Sequence, residues 1–191
     1  MARDYPTTYK DRVILDLCAG SGRWSAPYEE AGYDVRHFEI EAGEDVRLLP
    51  IFGERIYGIL AAPPCTNFSL AKQNFHGVTE AELLDGLSVV DACIRIITVN
   101  RPYFWALENP VGALARYIGR PALIFEPYEY GDGYTKRTCL WGRFKAPKKC
   151  PVPITEPCKI KNLYHYDPAE KARRRAYTPA GFARAFFEVN R

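Results

Sequence analysis

Apolar and polar positions along the chain fall into short blocks separated by glycine and proline. Arg12 to Leu17 is a short apolar run closed by Ala19-Gly20-Ser21-Gly22, which predicts a buried strand running into a tight turn. Arg23 to Ala31 suits a short helix; Pro27 is tolerable there only near the first turn, and Gly32 suits the stop. Asp34 to Ile40 predicts a second strand, and Tyr57 to Ala62 another, stopped by Pro63-Pro64. Thr79 to Asn100 is the clearest helix. Thr79 and Glu82 form a T-x-x-E capping box, and Leu83, Leu87, Val90 and Ile94 follow at helical spacing. Tyr103 to Leu107 predicts a strand ended by Glu108-Asn109-Pro110.

From Phe144 to Ala176 periodicity vanishes and Pro147, Pro151, Pro153, Pro157 and Pro168 crowd the chain, so this stretch reads as an irregular surface excursion. A last helix is expected from Pro179 to Val189, with Thr178 as N-cap, Pro179 at its first position and Phe182, Ala185, Phe186 and Val189 on its apolar face. Strands alternating with helices predict an α/β fold, a mainly parallel sheet flanked by helices. At 191 residues the expectation is one domain, residues 1–191, carrying the excursion at about 144–176.

Composition narrows the class. Hydrophobic residues make up 47% and charged residues 26%, which fits a globular protein and not a disordered one. No apolar run approaches the ~18 residues of a membrane helix, and Met1-Ala2-Arg3-Asp4 opens no signal-like apolar region. A cytoplasmic protein without membrane contact is therefore expected. Cys18, Cys65, Cys93, Cys139, Cys150 and Cys158 should be reduced there. Cys139, Cys150, Cys158 and His165 match no common zinc spacing, so no metal is expected. Net charge is only +3, but Lys136, Arg137, Arg143, Lys145, Lys148, Lys149, Lys159, Lys161, Lys171 and Arg173 to Arg175 gather in the last third. Such a patch could neutralise phosphates, or could simply be a solvated surface.

Four sites could carry chemistry. In Asp16-Leu17-Cys18-Ala19-Gly20-Ser21-Gly22, glycines after a first strand let the backbone pass close to a ligand. Position 25 is Ser25, so the third glycine of a dinucleotide loop is absent, and a nucleoside cofactor without pyrophosphate fits better. Glu39, at the end of the second strand, could accept hydrogen bonds from ribose hydroxyls, with Ile40 beside it. Asp45 could meet an adenine amino group, with Glu41 and Glu44 as rivals. Pro63-Pro64-Cys65-Thr66-Asn67-Phe68-Ser69 places a cysteine in a stiffened loop at a strand end, where a nucleophile or a small core residue are both possible. Glu108-Asn109-Pro110 could set a carboxyl group beside Cys65, or be a polar turn.

In this order and spacing the four sites resemble the DNA cytosine-5 methyltransferase family, from Arg12 to Asn190. The glycine loop is similar to the family's first motif, Pro63-Pro64-Cys65 to its nucleophile motif and Glu108-Asn109-Pro110 to its Glu-Asn-Val motif. Tyr130-Gly131 followed by Thr135-Lys136-Arg137-Thr138 is similar to its basic motif, and the last helix stands where its final motif returns to the cofactor. The chain looks most like compact bacteriophage members. Cys18 stands where the family has Phe and Thr66 where it has Gln, and the second arginine position of the basic motif falls on Cys139. Only residues 144–176 occupy the place of the family's target-recognition domain.

The resemblance implies a Rossmann-like S-adenosylmethionine fold and methyl transfer to carbon 5 of cytosine, with DNA as the expected substrate. Cys65 would be the nucleophile, Glu108 would hold the base edge, and Arg137 would orient the base and its phosphate. Asp16, Cys18, Ala19, Gly20, Gly22, Glu39, Ile40, Asp45 and Pro63 would bind the cofactor. Pro64, Asn67, Ser69, Asn109 and Lys136 would contact the substrate. The same chemistry on a free nucleotide, RNA or single-stranded DNA is an alternative, as is a non-catalytic cofactor- or DNA-binding homologue. A specificity-providing partner or a homodimer could supply the missing recognition surface.

Overall fold

The first strand, β1 (Val13–Leu17), is buried at every position. It is buried on both sides because both faces of the sheet are covered, and its one polar residue is Asp16. Val13, Leu15 and Leu17 join one core cluster and Ile14 the other. The structure is a computed structural model that describes residues 8–70, 72, 77–155, 167 and 176–191. After β1 come α1 (Ala26–Glu30), β2 (Asp34–Phe38), β3 (Ile56–Ala61), α2 (Glu80–Asn100), β4 (Phe104–Pro110) and a one-turn α3 (Ala115–Ile118). Then follow β5 (Leu123–Phe125), β6 (Thr138–Arg143) and α4 (Ala180–Asn190).

The six strands lie in the order β2-β1-β3-β4-β6-β5. β2, β1, β3 and β4 are mutually parallel, and β6 runs antiparallel to both β4 and β5. The mixed α/β class and mainly parallel sheet agree with the sequence expectation. α2 lays Val90, Cys93, Ile96 and Ile97 on one face of the sheet. Its start is fixed by the expected capping box: Thr79 accepts from the Glu82 amide and Glu82 accepts from the Thr79 amide. α1 and α4 cover the opposite face with Tyr28, Phe182, Phe186 and Phe187.

Three local expectations are corrected, and two strands are added. α1 starts at Ala26, not Arg23, because Trp24 and Ser25 are drawn into the interior of the preceding turn. β4 does not end before Glu108; it continues through Pro110, because β6 pairs Glu108 with Leu140, Asn109 with Cys139 and Pro110 with Thr138. β5 and β6 were not expected from the sequence at all. Finally, α4 has Pro179 as its N-cap, not Thr178, and makes no local side-chain cap. Asp132 caps it from another part of the chain, its carboxylate accepting from the Gly181 amide at 2.8 Å. The buried face of α4 is Phe182, Ala183, Phe186, Phe187 and Asn190, with Ala185 and Val189 only half-buried.

Residues 144–155, at the start of the proline-rich stretch, form no helix or strand. Its continuation, with Cys158 and His165, lies outside the described residues except for Asp167 and Ala176. No described helix is long and apolar enough to cross a membrane.

Candidate functional site

β1 lies between β2 and β3, so the connections leaving β1 and β3 diverge to opposite sides of the sheet. At such a switch point the crevice beyond the carboxyl ends of the strands takes ligands. Two of the candidate loops, 18–22 and 63–69, border it.

The turn after β1 uses left-handed backbone at Cys18 (φ 56°), Gly20 (φ 55°) and Gly22 (φ 67°). A Cβ at Gly20 would meet nothing within 4 Å, so the backbone faces open space there. Cys18, not glycine, takes the same strained conformation. The neighbouring Cys93 thiol on α2, together with burial, pushes its pKa far up, and Cys18 packs against the core cluster that contains Cys93. Glu39 sews the turn to the end of β2: its Oε2 accepts from the Gly20 amide at 2.6 Å and its Oε1 from the Ile40 amide at 3.0 Å. Ala19 adds a backbone bond to Phe38 at 3.2 Å. Ile40 projects outward, 58% exposed.

Asp16 is not at the surface of this turn. It is 1% exposed beneath it, with Oδ2 accepting from the Ser25 hydroxyl at 2.6 Å. Asp45 accepts from the Arg47 amide at 2.9 Å and pairs with the Arg47 guanidinium at 2.7 Å, and these bonds hold its carboxyl below the ordinary range. Arg47 also reaches Asp85 on α2 at 2.9 Å, so Asp45 is fastened to its own loop. Glu41 and Glu44 are exposed.

The cysteine loop leaves β3 through buried Pro63 and exposed Pro64. Cys65 is half-buried, and its carbonyl accepts from the amides of Phe68 and Ser69, each at 3.0 Å. Phe68 is fully buried and anchors the turn in the core. Asn67 donates to the Glu82 carbonyl at 2.6 Å and accepts from Lys72 Nζ at 2.9 Å, and Lys72 pairs with Glu82 at 2.7 Å. Ser69 Oγ lies 3.4 Å from the Thr66 carbonyl. The Asn67 and Ser69 side chains therefore shape the loop itself.

Neighbouring β4 brings Glu108 and Asn109 to the same end of the sheet. Asn109 is fully buried and donates to the Pro63 carbonyl at 2.9 Å, which joins the cysteine loop to β4; its own Oδ1 has no hydrogen-bond partner among the described residues. Glu108 has a side chain 13% exposed, with Lys136 Nζ 3.9 Å away. Burial pushes the Glu108 pKa up, and the ammonium offsets part of that rise. Lys136 is also held by its amide on Glu126 at 2.8 Å and by Nζ on the Tyr177 carbonyl at 3.0 Å. Arg137 is exposed. Cys139 is 3% exposed in the core, its thiol raised by burial and by Glu108.

The structure thus gathers Glu39, Gly20 and Ile40 at one loop cluster, and Cys65, Asn109, Glu108 and Lys136 at the adjacent strand ends. Sequence reasoning missed Ser25, His37 and Lys72. His37 and Lys72 stand in no motif, Ser25 drew notice only as a missing glycine, and each gains its role from a partner on another element. Among the described residues, no group of three or more histidine, cysteine and acidic side chains could hold a metal.

No family model matches the sequence. Type II methyltransferase M.NgoPII of Neisseria gonorrhoeae is 29% identical over 154 residues, which cover 70% of this chain and 43% of that protein. The chain therefore spans less than half the length of this curated relative. Among solved structures, a protein provisionally assigned as a DNA modification methyltransferase encoded within an E. coli prophage superposes with a TM-score of 0.51. It is 19% identical, and the match covers 80% of this chain and 54% of that one. At this identity the likeness establishes the fold, a central six-stranded sheet flanked by helices in the manner of a methyltransferase.

Proposed function

We propose that the chain transfers a methyl group from S-adenosylmethionine to carbon 5 of cytosine in DNA, through a covalent adduct on Cys65. The observation that carries this reading is the Asn109–Pro63 hydrogen bond. It ties the cysteine loop to the strand bearing Glu108, at the crevice that the glycine turn also borders. The likeness to a type II methyltransferase and to a prophage-encoded one supports a DNA substrate.

The cofactor fits the turn after β1. Gly20 leaves open space above left-handed backbone, and Ile40 offers an exposed apolar side chain beside it. Each Glu39 carboxylate oxygen accepts one amide and keeps a lone pair for a ribose hydroxyl. When bound, S-adenosylmethionine supplies an electrophilic methyl group on a sulfonium centre.

Carbon 5 of an aromatic cytosine is a weak nucleophile, and the chain's task is to activate it. The Cys65 thiolate adds to carbon 6, breaking the ring's conjugation and leaving carbon 5 electron-rich. Glu108, whose burial favours the protonated form, donates a hydrogen bond to N3 and stabilises the added negative charge. After the methyl group is taken up, a base removes the carbon 5 proton and the electron pair expels the Cys65 thiolate. Arg137, exposed beside this end of the sheet, supplies a cation for the target phosphate. A cytosine within a duplex cannot present carbon 6 to a thiol, so the base is flipped out of the stack. The proposed setting is the cytoplasm of the cell, or of the host if the chain is phage-encoded, with DNA as partner.

The test is nucleoside mass spectrometry of duplex DNA incubated with the protein and S-adenosylmethionine, beside arms with single-stranded DNA, RNA and dCMP. 5-Methylcytosine in duplex DNA, absent with Cys65→Ser, is expected. Product in only one of the other arms would reassign the substrate. No product in any arm, and no adduct with 5-fluorocytosine DNA, would overturn the catalytic reading.

A further inference from the structure

His37 stands next to Asp16 in the parallel β1–β2 register, on the face that α1 covers. Its Nδ1 lies 3.5 Å from the Asp16 Oδ2, and its Nε2 lies 2.7 Å from the Glu29 Oε1 on α1. The ring also floors the glycine turn. A Cβ built on Gly22 would lie 3.0 Å from the His37 Cε1, so the imidazole fills the space that the missing side chain leaves. The turn is pinned from inside by Ser25, whose hydroxyl donates to the same Asp16 oxygen at 2.6 Å. One ring therefore touches β1, α1 and the turn between them.

Both contacts of the ring are carboxylates, and this decides its charge. A neutral imidazole carries a single N–H and can donate to only one of them; the other would face a bare nitrogen lone pair. The imidazolium presents an N–H to each, donating to Glu29 and ion-pairing with Asp16. Asp16 strengthens the case, because it is only 1% exposed and a buried carboxyl group is best matched by a cationic partner. We propose that His37, as an imidazolium clamped between Asp16 and Glu29, is a positioning residue that holds the turn at 18–25 in the shape that receives the cofactor. The inference rests on the cofactor reading above and adds a proton to it as a second, linked ligand.

The charged groups that face His37 are Asp16 from β1 and Glu29 from α1. Glu39, farther along β2, is bonded to the amides of Gly20 and Ile40. Hydrogen bonding to Asp16 raises the His37 pKa most, Glu29 adds to it, and burial opposes both; the result is about 9. The sign follows. Protonated His37 is the binding form, so affinity is flat through neutral pH and falls as pH rises through about 9.

The experiment is calorimetric titration with S-adenosylhomocysteine, the stable demethylated cofactor, from pH 6 to 10. Circular dichroism at each pH monitors the fold. The unaltered chain should lose at least about fivefold in affinity across the step, the lower end of usual linkage couplings. His37→Gln should bind at neutral pH with the weakened affinity and show no step of its own. Glu29→Gln, which removes one of the two carboxylates, should keep the step but move it to lower pH. A merely structural histidine would give neither the step nor its displacement. Binding by His37→Gln that matches the unaltered chain at every pH would overturn this inference alone. Failure of the unaltered chain to bind at any pH would overturn the cofactor reading and this inference with it.

Discussion

Glu108 and Lys136 set opposing influences on one proton. Burial raises the Glu108 pKa, and the Lys136 ammonium 3.9 Å away lowers it. The proposed chemistry needs the carboxyl protonated, so activity should fall as pH rises through the Glu108 pKa. Lys136→Met removes the lowering influence of this ammonium on that carboxyl, so the falling limb should move to higher pH. A kcat profile against pH checks this, and a limb that moves down would mean Lys136 acts on another group. Glu108→Gln should lower kcat by about 10²-fold or more, the usual contribution of a placed acid or base. Cys65→Ser should abolish turnover while leaving S-adenosylhomocysteine binding nearly intact, because a hydroxyl is a far poorer nucleophile at neutral pH. Methyl transfer retained by the serine variant would mean that the cysteine loop has been misread.

At the scale of elements, the instructive case is α4. It buries three phenylalanines, Phe182, Phe186 and Phe187, yet has no side-chain cap of its own. Asp132 supplies the cap through the Gly181 amide. Asp132→Ala should therefore cost ~1 kcal/mol, as for other N-cap losses, and Asp132→Asn should recover most of it. Urea unfolding of the two variants measures the difference. An alanine variant as stable as the parent would show that the cap contributes nothing. The same helix shows what could be read in advance. Its span was legible from phenylalanine spacing, and that of α2 from its capping box, because both signals are local. The Asp132 cap was not legible, because it crosses 49 residues. β6 was hidden for a related reason. Thr138 to Trp141 are all buried, with no alternation to mark a strand, and β5 is three residues long. The extension of β4 through Glu108-Asn109-Pro110 depends on pairing with that hidden strand. In the candidate site, the glycine turn and the cysteine loop were legible as motifs. His37 was not, since a lone histidine in a strand gives no sign that two carboxylates will converge on it.

Across the described residues, sheet and helices fix the two loop clusters, while residues 144–155 follow a different rule. Residues 144–155 form no regular element and are tied to the body by backbone bonds. The Cys150 amide donates to the Glu129 carbonyl at 2.8 Å, Val152 to Tyr128 at 2.9 Å and Thr155 to Gly133 at 2.9 Å. Lys145 and Lys148 stand exposed on this segment, and Lys149 pairs with Glu129 at 2.6 Å. Reading sequence directly requires side chains held against base edges in a groove, each good contact supplying ~1–3 kcal/mol of discrimination. A long target site needs several such contacts on a helix or ribbon that fits the groove. Under the proposed function, exposed lysines on an irregular segment would meet phosphates, and phosphate contacts position the duplex without distinguishing its sequence. DNA binding by the purified chain should therefore weaken steeply with added salt, since each neutralised phosphate releases counterions. Modification should show at most a very short sequence preference unless a partner protein or a second copy supplies recognition. The measurement is base-resolution sequencing of 5-methylcytosine in mixed-sequence DNA treated with the purified chain alone. Modification confined to one defined site of about four or more base pairs would need several base-edge contacts. That outcome would require a groove-reading surface elsewhere on the chain and would overturn this account of the basic segment.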